Sequence, residues 1–137
     1  MKHIMCIAVI TLLCFIGHPL LADPIGTTNE EVQTIAAPIL DTILEGFKSN
    51  NYAKYSQYFD DTLKEAISEK KFIEVDAQIE NSIGSCQTRE YLGYLVKTRM
   101  TVALWKGRFD KSDDDVLIKL VISKRGDKYL VTGLWFQ

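Results

Sequence analysis

Histidine is almost missing from this chain of 137 residues: the two that occur, His3 and His18, both precede Pro19. Cysteine is sparse as well, at Cys6, Cys14 and Cys86. There is no basic excess, since 16 Lys and Arg stand against 18 Asp and Glu for a formal net charge of −2. No excess of positive charge is left to neutralise phosphates, and no nucleic-acid partner is expected. There is no glycine-rich phosphate loop. The longest apolar run, residues 4–16, is shorter than the roughly 20 residues that cross a bilayer. What remains is 47% apolar, 25% charged and 10% aromatic, the composition of one ordinary globular domain.

The opening residues read as an export signal. Met1-Lys2-His3 is a short basic start, residues 4–16 form the apolar stretch, and Gly17-His18-Pro19 breaks it before Leu20-Leu21-Ala22. Cleavage is expected after Ala22, which places the protein in the periplasm or outside the cell, with no membrane attachment afterwards. Removal would take away both histidines, Cys6 and Cys14, leaving Cys86 as the lone thiol and no intrachain disulfide. Residues 1–22 are thus signal peptide, 23–29 a linker, and 30–137 a single domain.

From Glu30 the apolar residues Val32, Ile35, Ala36, Ile39, Leu40, Ile43, Leu44 and Phe47 recur at helical spacing, with Pro38 as a kink or first-turn residue. Asn50-Asn51 supplies a stop and an N-cap for a short helix carrying Tyr52, Tyr55 and Phe59. Thr62-Leu63-Lys64-Glu65 fits a capping box, and Phe72, Val75, Ile79 and Ile83 mark a third helix that Gly84 ends. After Gly84 the period shortens. Four antiparallel strands are expected over 90–97, 100–109, 116–123 and 128–136, with turns at 110–114 and 124–127. Helices followed by a strand meander make an α+β domain, the helices covering one face of the sheet.

A tight turn at Gly126 and uninterrupted alternation put Val116, Ile118, Leu120 and Ile122 on one face with Tyr129, Val131, Gly133 and Trp135. Thr101, Ala103, Trp105, Gly107 and Phe109 join them on the helix-facing side. The opposite face then carries Leu104, Leu117, Val121, Leu130, Leu134 and Phe136, too apolar for a surface left in water. A homodimer formed through that face is the simplest expectation.

The helix ending in Gly46-Phe47, the segment from Asn51 to Asp60, Phe72, the Ile83-Gly84 helix end and the closing Val131-Thr132-Gly133-Leu134-Trp135-Phe136 resemble the exported domain of unknown function 3887. That family is grouped with the nuclear-transport-factor-2-like, cystatin-like folds. The resemblance implies a cone of helices on a strongly curved four-stranded antiparallel sheet, often dimeric, with a pocket between. It carries over no catalytic residues. Enzymes elsewhere in the superfamily use an Asp, or a His-Asp pair, inside the cone.

Without histidine in residues 23–137, Ser-His-Asp, Cys-His and imidazole acid/base chemistry are excluded, and the commonest zinc ligand is lacking. No metal or cofactor is expected. Asp41 and Glu45 point away from the apolar stripe and read as a solvated face. Asp76 lies close in direction to Phe72, Val75, Ile79 and Ile83, so it is the one candidate general base. Asp110, Asp113, Asp114 and Asp115 lack the Gly and terminal Glu of a calcium loop and read as a hairpin turn, as does Arg125-Gly126-Asp127. Cys86 reads as an inert filler. Tyr91, Trp105, Tyr129 and Trp135 are the candidates to line a pocket for a small apolar or aromatic ligand. Two functions follow: a dimeric non-catalytic binding module, or an isomerase or dehydratase-like enzyme with Asp76 as base and a tyrosine as acid.

Overall fold

The computed structural model describes residues 20–137, so most of the expected signal segment lies outside the described residues. Four helices precede four strands: α1 (Asn29–Lys48), α2 (Tyr52–Tyr55), α3 (Asp61–Ala66), α4 (Glu69–Ser82), β1 (Cys86–Lys97), β2 (Met100–Phe109), β3 (Val116–Arg125) and β4 (Lys128–Phe136). The chain is α+β, as its patterning implies. Among the described residues no helix is long and apolar enough to cross a membrane.

Each helix starts where a side chain satisfies its free amides. Thr28, Asn51, Asp60 and Ser68 accept from the N–H of Glu31, Lys54, Leu63 and Lys71 respectively. Thr62 is therefore not a cap: Asp60 opens α3 instead, and the expected third helix is two, α3 and α4. The stripe Val32, Ala36, Ile39, Leu40 and Ile43 of α1 is buried against Trp105, Ile118, Leu120, Ile122 and Val131. Full burial of side chains this size stabilises by about 2 kcal/mol each. Packing of this stripe, more than helix propensity, holds α1 in place. Gly46 lets α1 touch α2, because a Cβ there would meet the Tyr55 backbone nitrogen at 2.5 Å.

The sheet runs in the order β1-β2-β3-β4, all antiparallel. Thr98-Arg99 closes the first hairpin with neither Gly nor Pro, and Gly126, at φ +63°, opens the two-residue turn of the last. β1 begins at Cys86, earlier than its alternation suggested, and it extends the sheet beneath the C-terminal half of α1.

One irregularity in β4 reverses an expectation. Val121 lies opposite Gly133 while Ile122 lies opposite Val131, so Thr132 is an extra residue with no partner of its own. Val131 is held from its other side: its N–H donates to Tyr58 O at 2.7 Å, and its carbonyl accepts from Asp60 N at 3.0 Å. Beyond the bulge the two faces of β4 are exchanged. Leu134 pairs with Leu120 and Phe136 with Ile118, both on the helix-facing side, so neither belongs to the open face on which they were expected. Trp135 turns outward opposite Lys119, whose ammonium sits 5.6 Å from the indole centroid.

The expected linker is also not a linker. Asp23 bridges Lys124, with Asp23 N donating to Lys124 O at 2.8 Å and Lys124 N returning to Asp23 O at 2.7 Å. Ile25 is fully buried. Its N–H donates to Thr101 Oγ1 at 2.9 Å, and that hydroxyl donates to its carbonyl at 3.1 Å. The domain thus begins before residue 30.

Candidate functional site

A cleft of about 620 Å³ opens where the C-terminal half of α1, α4, the start of β1 and the ends of β2 and β4 meet. Its floor is aromatic. Phe136 stands edge-on to Phe47 at 6.0 Å and to Phe109 at 5.8 Å, centroid to centroid. Phe47 continues into the stacked core through Tyr55 at 4.7 Å and Phe72 at 5.8 Å. Phe136 reaches this floor only because of the extra residue at Thr132. Gly84, at φ +80°, ends α4 at the wall of the cleft, its N–H bonded to Ile79 O as a left-handed helix terminus requires.

The walls are acidic. Asp41, Glu45, Asp76, Glu80 and Asp110 line the cleft, against Lys48 and Arg89. Asp41 and Glu45 are exposed, as expected, at the border of the cleft, where Arg89 at the start of β1 pairs with Asp41. Arg89 faces inward opposite Gly107. Glu80 is taken by Lys111 at 2.8 Å, and Asp110 accepts from Ser85 N at 2.9 Å. The side-chain carboxylates of Glu45 and Asp76 have no hydrogen-bond or ion-pair partner among the described residues. Partial burial, reinforced by the charge of Glu80 one turn on, raises the Asp76 carboxyl above its ordinary value.

Other chemistry is thin. Burial pushes the Cys86 thiol up, so at neutral pH it is a thiol rather than a nucleophilic thiolate. No His, Cys, Asp and Glu cluster among the described residues could hold a metal ion.

The four aromatics expected to line one pocket do not converge. Trp105 is a core residue, with Tyr91 edge-on to it at 5.6 Å. The Tyr91 hydroxyl donates to Asn29 Oδ1 at 3.5 Å and that of Tyr94 to Thr27 O at 2.7 Å, fastening β1 to the start of α1. Trp135 is on the outer face. Tyr129 lines a second cavity of about 860 Å³ between α1, the α2–α3 connection and the β3–β4 hairpin. There buried Asp60, besides capping α3, pairs with Arg125 at 3.1 Å. Neither Tyr91 nor Tyr129 lines the cleft that holds Asp76, and neither hydrogen-bonds to it.

Of the residues expected on the open face, Leu104, Leu117, Val121 and Leu130 do stand opposite Lys119, Lys106, Val102 and Ser123, away from the helices. Leu95 and Trp135, neither of them anticipated there, join this face, at 51% and 48% exposure. The Phe47, Phe109 and Phe136 floor escaped the sequence reading. Trp135-Phe136 is a tandem pair, so either register buries one aromatic and alternation alone could not choose. Comparison of the chain with family models, curated proteins and solved structures gives no match.

Proposed function

We propose that the protein is an exported, non-catalytic binding module: the cleft between α1, α4 and β1 takes a small ligand, and the open face of the sheet receives a second copy. The observation that carries the reading is the cleft itself, with an aromatic floor and a wall of carboxylates. The N-terminal signal pattern supports export, with cleavage near Ala22. Helices preceding a four-stranded antiparallel sheet with register shifts in its outer pairings support a nuclear-transport-factor-2-like cone, the fold that the resemblance to the exported domain 3887 implies. Leu95, Leu104, Leu117 and Trp135 give the open face the apolar content that a symmetric dimer would cover.

A second reading, proton transfer by Asp76, draws on the raised carboxyl in the cleft. It lacks the tyrosine acid it calls for, since no tyrosine lines that cleft. Native mass spectrometry of the protein recovered from its own export pathway tests the first reading. The expected result is a dimer carrying a retained small molecule. A bare monomer at micromolar concentration overturns both halves of it.

A further inference from the structure

The reading of the cleft as a ligand site leaves the chemical class of the ligand open, and the side chains that line the cleft narrow it. Five carboxylates face it and two cations. Arg89 is spent on Asp41, and Lys111, at the rim, is spent on Glu80, so Lys48 is the one free positive group among the lining residues. Two carboxylates, Glu45 on α1 and Asp76 on α4, are left without a partner on opposite walls. Phe47, Phe109 and Phe136 line the same cleft. A neutral apolar ligand would leave those carboxylates uncompensated and would cost them hydration. An anion would meet repulsion from both walls. A cation would offset the mutual repulsion of Asp76 and Glu80, and its hydrocarbon or ring would cover the aromatic floor.

We propose that the cleft binds an organic cation, a primary or quaternary ammonium carried on an apolar or aromatic body, with the charge between Glu45 and Asp76 and the body on Phe47, Phe109 and Phe136. The inference rests on the cleft being a ligand site.

The test uses three probes of matched size: 2-phenylethylamine, 2-phenylethanol and 3-phenylpropanoate. Each is titrated at neutral pH into the isotope-labelled protein and followed by amide chemical shifts. The amine is expected to bind about tenfold more tightly than the alcohol, with the propanoate weakest and the shifts centred on Glu45, Asp76 and Phe136. Raising the salt to about 0.5 M should narrow that gap. Asp76→Asn and Glu45→Gln should each weaken the amine by roughly fivefold or less, the range of a partly exposed ion pair, and leave the alcohol unchanged. Equal binding of all three probes, or preference for the propanoate, overturns the cationic class and leaves the cleft as a ligand site. Amine binding that ignores both substitutions, or shifts centred on the second cavity, overturns it too. If no probe shifts the cleft residues of the folded protein at millimolar concentration, the proposed ligand site falls with it.

Discussion

Replacing Leu134 and Trp135 in turn by glutamate tests the bulge that builds the cleft floor. Uninterrupted pairing of β3 and β4 would point Trp135 at the helices and Leu134 at solvent, whereas the bulge at Thr132 does the reverse. Full burial of a leucine stabilises by about 1.5–3 kcal/mol, and Leu134 is partly exposed but mostly buried, so the larger part of that is at stake. A carboxylate placed opposite buried Leu120 adds a desolvation cost of about 1–3 kcal/mol. Leu134→Glu should therefore destabilise by about 3 kcal/mol. Trp135→Glu loses the indole's contact with Lys119 and its cover over Gly133, but sets a carboxylate directly opposite the same lysine, worth roughly 0.2–1 kcal/mol. Its net cost should be about 1 kcal/mol. For a domain of this size the gap amounts to roughly 10 °C in Tm. Urea unfolding followed by far-ultraviolet circular dichroism reads it without relying on the substituted tryptophan. Two protein concentrations separate loss of fold from loss of association. Equal costs, or a larger cost for Trp135→Glu, would refute the assignment of faces and with it the Phe136 floor.

Three further outcomes are expected. Thr101→Val keeps the shape but strands the buried N–H and carbonyl of Ile25, and should cost about 1–3 kcal/mol in urea unfolding; an unchanged midpoint would show that residues 23–25 do not dock. Burial raises the Tyr55 phenol above its ordinary value of 10.0, so the unfolded chain releases this proton first and stability should fall by about 1.4 kcal/mol per pH unit above pH 10. Tyr55→Phe should remove most of that slope, and an unaltered slope in the variant would count against it. The raised Asp76 carboxyl implies stability that is complete below its ordinary value of 3.8 and declines as the pH rises through the folded value. Asp76→Asn should therefore be at least as stable as the parent at neutral pH, with the difference closing near pH 3; a less stable variant at neutral pH would mean that the carboxylate has a structural partner.

Much of the fold was legible in the residues because the cues are local. The stripe from Val32 to Ile43, the caps at Asn51 and Gly84, and the alternation from Met100 onward each depend on neighbours within a turn or a strand. Thr62 offers the better-looking capping box along the chain, whereas the cap is Asp60, two residues earlier, whose other carboxylate oxygen accepts from Arg125, 65 residues away. Asp41 and Glu45 were assigned to solvent correctly as far as the helix goes. Their place at the cleft depends on where β1 begins.

Composition and periodicity by themselves determined the class of the protein: one α+β domain, poor in groups that move protons, with helices set on one side of an antiparallel sheet. The tertiary structure alone decided which aromatics meet. Alternation counts residues along one strand, but the face each residue takes depends on how many residues the neighbouring strand sets against it. In β4 that number changes at Thr132, where Val131 is gripped by Tyr58 and Asp60, more than 70 residues earlier in the chain. One unpaired residue, next to a strand position held by a distant loop, sends Trp135 outward and Phe136 to the floor of the cleft, and no local pattern carries that information.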